Sequence, residues 1–290
     1  MKRLSKNRPL RAKLLGIDVM SVLMQKLFAF LKRDFLEEAS YKYSFIASFF
    51  GIFLSSATFF FISKLISPNS SSVLAPYGGD YFSFVIIGIA FSGLLAIFQE
   101  RLPAIIRQAQ VTGTLEAILV SRTSIPVILF GSSLYYFLYS IASTVFHLIL
   151  AVVVFGMQVE KINWLGAVLT FLLTALCFLS IGILSACFIL VYKKGNPFSW
   201  IYGSVSGLLG GVFFPIKVLP VWIKWISYIL PITYSLEGLR KSIIVTSPFS
   251  EILPNIIALS VFTVVFFPLS IYLFRLALKK AKKDGTLTHY

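Results

Sequence analysis

Apolar runs of about twenty residues recur along this chain, too long and too unbroken to fold away inside a soluble domain. Roughly 20 helical residues cross a hydrocarbon core, and no water is present there to satisfy exposed backbone groups. The runs do not alternate, as the strands of a membrane β-barrel would. Only 13% of residues are charged, against about 25% in soluble domains, so no polar cover exists for the 58% that are hydrophobic. The chain is therefore an all-α, polytopic membrane protein.

Six transmembrane helices are expected, from about Tyr43 to Ile66, Tyr81 to Phe98, Ile125 to Phe155, Trp164 to Val191, Phe198 to Phe214 and Ile252 to Leu276. Before them, Met20, Leu23, Met24, Leu27, Phe28, Leu31 and Phe35 recur at helical spacing opposite Lys32, Arg33, Glu37 and Glu38. That pattern predicts an amphipathic helix lying in the membrane interface. Met1 to Lys13 is basic, but no apolar core and small-residue cleavage site follow it directly, so it does not read as a secretory signal. The stretch Arg101 to Ser124 is too polar to cross. Between the last two spans, Pro215, Pro220 and Pro231 divide a segment holding Trp222, Trp225, Tyr228 and Tyr234, residues that favour the headgroup zone. A segment that dips in and returns to the same side is expected over about 215–246. The organisation is then a 1–42 cytoplasmic segment, a 43–278 membrane domain and a 279–290 tail.

Lys and Arg cluster in the amino-terminal segment, after the second span, at Lys193 and Lys194, and at Lys279, Lys280, Lys282 and Lys283. Both termini are thus expected in the cytoplasm, in a bacterial inner membrane or alternatively a plastid membrane. Lys217, Lys224, Arg240 and Lys241 break the pattern: either they reach headgroups or the span count fails there. The net charge of +15 flanks apolar spans, which fits anionic lipid and not nucleic acid.

No GxxxxGK[ST] loop occurs, so the chain is not its own ATPase of the common type, and without HExxH, GxSxG or a paired acidic motif membrane-enzyme readings lose their main support. Cys177 and Cys187 form no CxxC pair, and His147 has no carboxylate on its span to make a proton relay. Few charges lie inside the spans, which counts against an ion-coupled carrier. Gly203, Gly207 and Gly211 recur at four-residue steps and would present one flat face for helix packing.

QAQVTGTLEAILVSRTS, from Gln108 to Ser124, and GGVFFPIKVLPVWIKWISYILPITYSLEGLRKSII, from Gly210 to Ile244, together with the span layout, resemble the permeases of the type-two ABC exporter class. The resemblance implies six spans after an amphipathic helix, a homodimer, and a separate ATPase subunit bound on the cytoplasmic side. This chain would then be no enzyme and hold no cofactor, with ATP and Mg on the partner ATPase. The helix at about 108–124 would dock that ATPase through Gly113, Thr114, Leu115 and Glu116. The segment at about 215–246, with Pro215, Pro220, Pro231 and Arg240, would be a re-entrant helical pair.

A path between two copies would be lined by Phe49, Phe53, Phe91, Leu208 and Phe213. Such an apolar lining suits an amphipathic drug, lipid or glycolipid. The alternatives are polysaccharide export, a motor-independent channel or ion-coupled carrier, and a membrane scaffold.

Overall fold

The computed structural model describes residues 8–40, 42–66, 71–115, 125–159, 161–192 and 196–283. Its main helices are α1 (Arg8–Ala39), α2 (Lys42–Leu65), α3 (Tyr81–Val111), α4 (Ile125–Val153), α5 (Trp164–Tyr192), α6 (Pro197–Leu209), α7 (Val221–Ile229), α8 (Pro231–Ile243) and α9 (Phe249–Lys283), and no strand occurs among the described residues.

Five helices, α2, α3, α4, α5 and α9, are long and apolar enough to cross a membrane. The expected fifth span, Phe198 to Phe214, does not form as one helix. α6 has 13 residues, a rise of about 20 Å. It stops before Gly210 and Gly211, the latter in the left-handed region at φ 81°, where a side-chain-free residue costs least. Hydropathy reads a half-length helix and an irregular apolar stretch as one run.

α3 departs from expectation in the other direction. Its predicted end at Phe98 is where hydrocarbon-compatible residues end, but the helix continues through Pro103 to Val111. Proline lacks the amide that would bond the carbonyl four residues back, here Gln99. Two hydroxyls take that carbonyl instead, Ser199 Oγ at 2.8 Å and Ser185 Oγ at 3.3 Å. Neighbouring helices thus repair the break, as membrane helices require.

α3 and α5 form the centre, with 67% and 61% of their most apolar windows buried, against 6% for α2, 22% for α4 and 11% for α9. Gly182 of α5 lets the two central helices touch, since a Cβ there would lie 2.5 Å from the Phe98 carbonyl. α4 flanks α3, α9 lies along α5, and α1 packs on α4 where Phe30 fills the space beside Gly131.

Candidate functional site

Two polar knots join α6 to α3. At its start, Asn196 caps α6 through Ser199 N at 3.1 Å and donates to Ser185 Oγ at 2.6 Å. Buried Gln99 donates to the Ser199 carbonyl at 2.7 Å. At the other end, Arg240 of α8 is 2% exposed. Its Nε and Nη2 donate to the Phe84 carbonyl at 3.1 and 3.0 Å, Nη1 to Gly211 at 2.8 Å and Nη2 also to Val212 at 3.2 Å. The guanidinium lies 3.5 Å from the Phe84 ring centre. No carboxylate forms an ion pair with it among the described residues; three carbonyl dipoles from two backbone segments solvate it instead. Gly88 makes this approach possible, because a Cβ there would collide with the Val212 carbonyl and the Arg240 guanidinium.

Arg240 therefore does not reach towards headgroups. Its neighbour Lys241 pairs with Glu237 at 3.6 Å. Glu237 also accepts from the Tyr77 hydroxyl at 2.7 Å. Burial and that carboxylate hold the Tyr77 phenol above its ordinary range, so it stays a neutral donor. Pro215 precedes a short 3₁₀ turn, Pro220 precedes α7, and Pro231 opens α8. Each proline sits where its missing amide has no helical partner to lose.

α8 lies against α5, with Ser242 O accepting from Asn163 N at 2.9 Å at the start of α5. Thr174, ten residues along α5, donates to Ser235 Oγ at 2.9 Å; ten residues rise about 15 Å. α7 is amphipathic, with Val221, Trp222, Trp225 and Ile229 exposed.

The expected docking residues divide. α3 ends at Val111 with Thr112 as its cap, and Gly113 turns the chain at φ 69°. Thr114 is exposed and its hydroxyl lies 2.9 Å from that of Thr112. Leu115, expected at a surface contact, is instead 2% exposed within the hydrophobic core: a leucine two residues beyond the Gly113 bend finds apolar neighbours inside. Glu116 lies outside the described residues, as does 116–124 of the expected docking helix. α1 braces this end, with Glu38 3.7 Å from Arg101 and Gln108 donating to Glu37 at 3.4 Å. Burial pushes the Asp34 carboxyl of α1 above the usual carboxylate value, with Arg33 opposing the shift.

The glycines at 203, 207 and 211 do not make one packed face. Gly203 faces the Gln99 amide, Gly207 faces open space, and Gly211 lies beyond the helix beside Ile216. The close approaches to other elements occur at Gly88, Gly131, Gly166, Gly182, Gly210 and Gly238, which share no spacing motif. The five expected path residues are likewise not brought together. Phe91 is buried against Phe171 of α5, whereas Leu208 and Phe213 are exposed, Phe213 stacked on Phe59 of α2. Phe49 and Phe53 meet Phe146 and Phe155.

His147 donates from Nδ1 to the Ser143 carbonyl at 3.0 Å, an acceptor within its own helix. Both cysteines are free. No group of three His, Cys, Asp or Glu suited to a metal ion occurs among the described residues.

A bundle with five helices long and apolar enough to cross a membrane, and one half-length helix pinned at both ends, defines a polytopic α-helical membrane protein. Residues 25–244 match the model of the ABC-2 type transporter family, to which the chain belongs. It is similar to the inner membrane transport permease YadH of Escherichia coli K12 and of Shigella flexneri, 24% identical over 166 residues, or 57% of this chain. The matched part spans 63% of the length of those relatives.

Proposed function

We propose that the chain is the permease subunit of an ABC exporter that moves an amphipathic substrate, a drug, lipid or glycolipid, with a separate ATPase supplying the energy. The carrying observation is α3, an unbroken helix of 31 residues, about 46 Å long, from the Asp80 cap to the exposed Thr112–Thr114 turn. One end holds the Arg240 knot and the other ends in the turn that the family resemblance assigns to the motor. Closure of two motor domains can pass along such a rigid element to α6 and α8.

In this reading α6 and residues 210–218 together complete a sixth crossing, α7 and α8 are the re-entrant pair, and the membrane domain covers 43–278. Both termini face the cytoplasm, in a bacterial inner membrane as the name of YadH states for that protein, or alternatively in a plastid. A second copy covers the open α2 and α6 face, where Leu208, Phe213 and Phe59 would line the path and Phe91 would not. ATP and Mg belong to the partner chain.

Pull-down from mild detergent, followed by ATPase assay, tests the reading. Thr114→Arg and Glu116→Arg should each abolish co-purification of an ATPase that the parent retains. A well-folded parent that brings down no ATPase sinks the proposal in favour of a motor-independent carrier. Leu115 is unsuitable for this test because its change would disturb the core.

A further inference from the structure

A polar cavity of about 510 Å³ opens at the end of the bundle that carries the α2–α3, α4–α5 and α8–α9 connections. Its wall combines Lys64 and Lys161, Asp80 with Ser83, and the rings of Phe60, Phe82 and Phe155. The three rings pack together, with centres 5.1 to 5.6 Å apart. The result is an apolar floor under a cationic rim.

The charges do not cancel. Asp80 spends both oxygens on the start of α3, accepting from Phe82 N at 3.2 Å and from Ser83 N at 2.8 Å. Neither lysine forms an ion pair among the described residues. The Lys64 ammonium is placed 5.0 Å from the centre of the Phe60 ring, a cation–π position that orients it without neutralising it.

The rim is also built rigidly. Asn163 donates to the Ser247 carbonyl at 3.0 Å, and its backbone amide donates to Ser242 at 2.9 Å. Thr246 Oγ1 donates to the Lys161 carbonyl at 2.6 Å. Thr246 has φ 53°, a left-handed conformation that a β-branched residue adopts only when its surroundings impose it. The Lys161 backbone is thus held across a loop by a strained residue of the opposite wall.

Depth identifies the ligand class. Lys64 closes the apolar run of α2, Tyr81 opens α3, and exposed Trp164 opens α5; such residues mark the headgroup level of a bilayer. We infer that this cavity holds the headgroup of an anionic phospholipid, its phosphate between Lys64 and Lys161 and its glycerol end against Phe60, Phe82 and Phe155. The site is built in part on α2, through Phe60 and Lys64, and requires no ATPase.

The test uses the full chain purified in mild detergent, with bound lipid counted by native mass spectrometry after exchange against phosphatidylglycerol, phosphatidylcholine or inorganic phosphate. Phosphatidylglycerol should be retained at one molecule per protomer. The double change Lys64→Gln with Lys161→Gln should lower that retention roughly tenfold or more, and Lys64→Arg with Lys161→Arg should keep it. A matching pair away from the cavity, Lys217→Gln with Lys224→Gln, should have no effect. Equal retention of phosphatidylcholine, unchanged retention in the glutamine pair, or an equal loss in the distant pair would overturn the site. Displacement of phosphatidylglycerol by inorganic phosphate at comparable concentration would overturn the lipid assignment.

Discussion

α2 and α3 are both apolar helices of spanning length, but they make opposite use of their surfaces. α3 buries most of its spanning window and α2 almost none of it. The polar atoms divide the same way. α3 takes part in both knots, through Gln99 and through the Phe84 carbonyl, whereas exposed Phe50, Leu54 and Phe61 line the outside of α2. Membrane helices gain little from hydrophobicity when they meet each other, because lipid is as apolar as leucine, so backbone proximity and hydrogen bonds select which helix becomes central. Hydropathy finds both helices and cannot rank them.

Changes on the buried side should cost the most. Arg240→Met should lower stability by about 3 kcal/mol, since three buried carbonyls lose a charged donor, with thermal melting in detergent as the measure. An unchanged melting temperature would break the contrast between the two helices outright. Gly88→Ala should cost about 1–3 kcal/mol by overpacking against Val212 and Arg240, on the same assay.

On the open side, Gly207→Leu should leave the stability of the monomer within about 0.5 kcal/mol of the parent, yet reduce the dimer fraction in light scattering. A dimer that survives it removes Gly207 from the interface between copies.

The smallest effect should come from Asp34→Asn on α1. Burial raises the folded-state pKa of Asp34, so the folded protein binds that proton more tightly than the unfolded chain. The stabilisation is fully present below the unfolded carboxylate value and is lost as pH rises through the folded one. The variant should flatten this part of the fall in melting temperature as pH rises above the ordinary carboxylate value; an unaltered slope would show that Asp34 contributes nothing.

The sequence was readable where length and polarity decide the structure. The starts and ends of α2, α4 and α5 follow from apolar runs bounded by Lys42, by the 156–163 loop and by Tyr192. It was silent where three-dimensional proximity decides. Gly88 and Gly182 look like any membrane glycine, and nothing local marks Pro103 as repaired by Ser185 and Ser199, more than 80 residues away. Arg240 was visible as an exception to the charge pattern, but the carbonyls that receive it are not written in side chains. The lysines of the polar cavity stand 97 positions apart and had no motif to join them.

The Arg240 knot has a consequence for how the protein is made. Its acceptors at Phe84, Gly211 and Val212 all precede it in the chain, by up to 156 positions. A guanidinium entering hydrocarbon alone is heavily penalised. The burial of Arg240 therefore depends on α3 and the end of α6 being in place to receive it. In that sense the arginine acts as an assembly checkpoint: chains whose earlier helices are misplaced offer it no carbonyls.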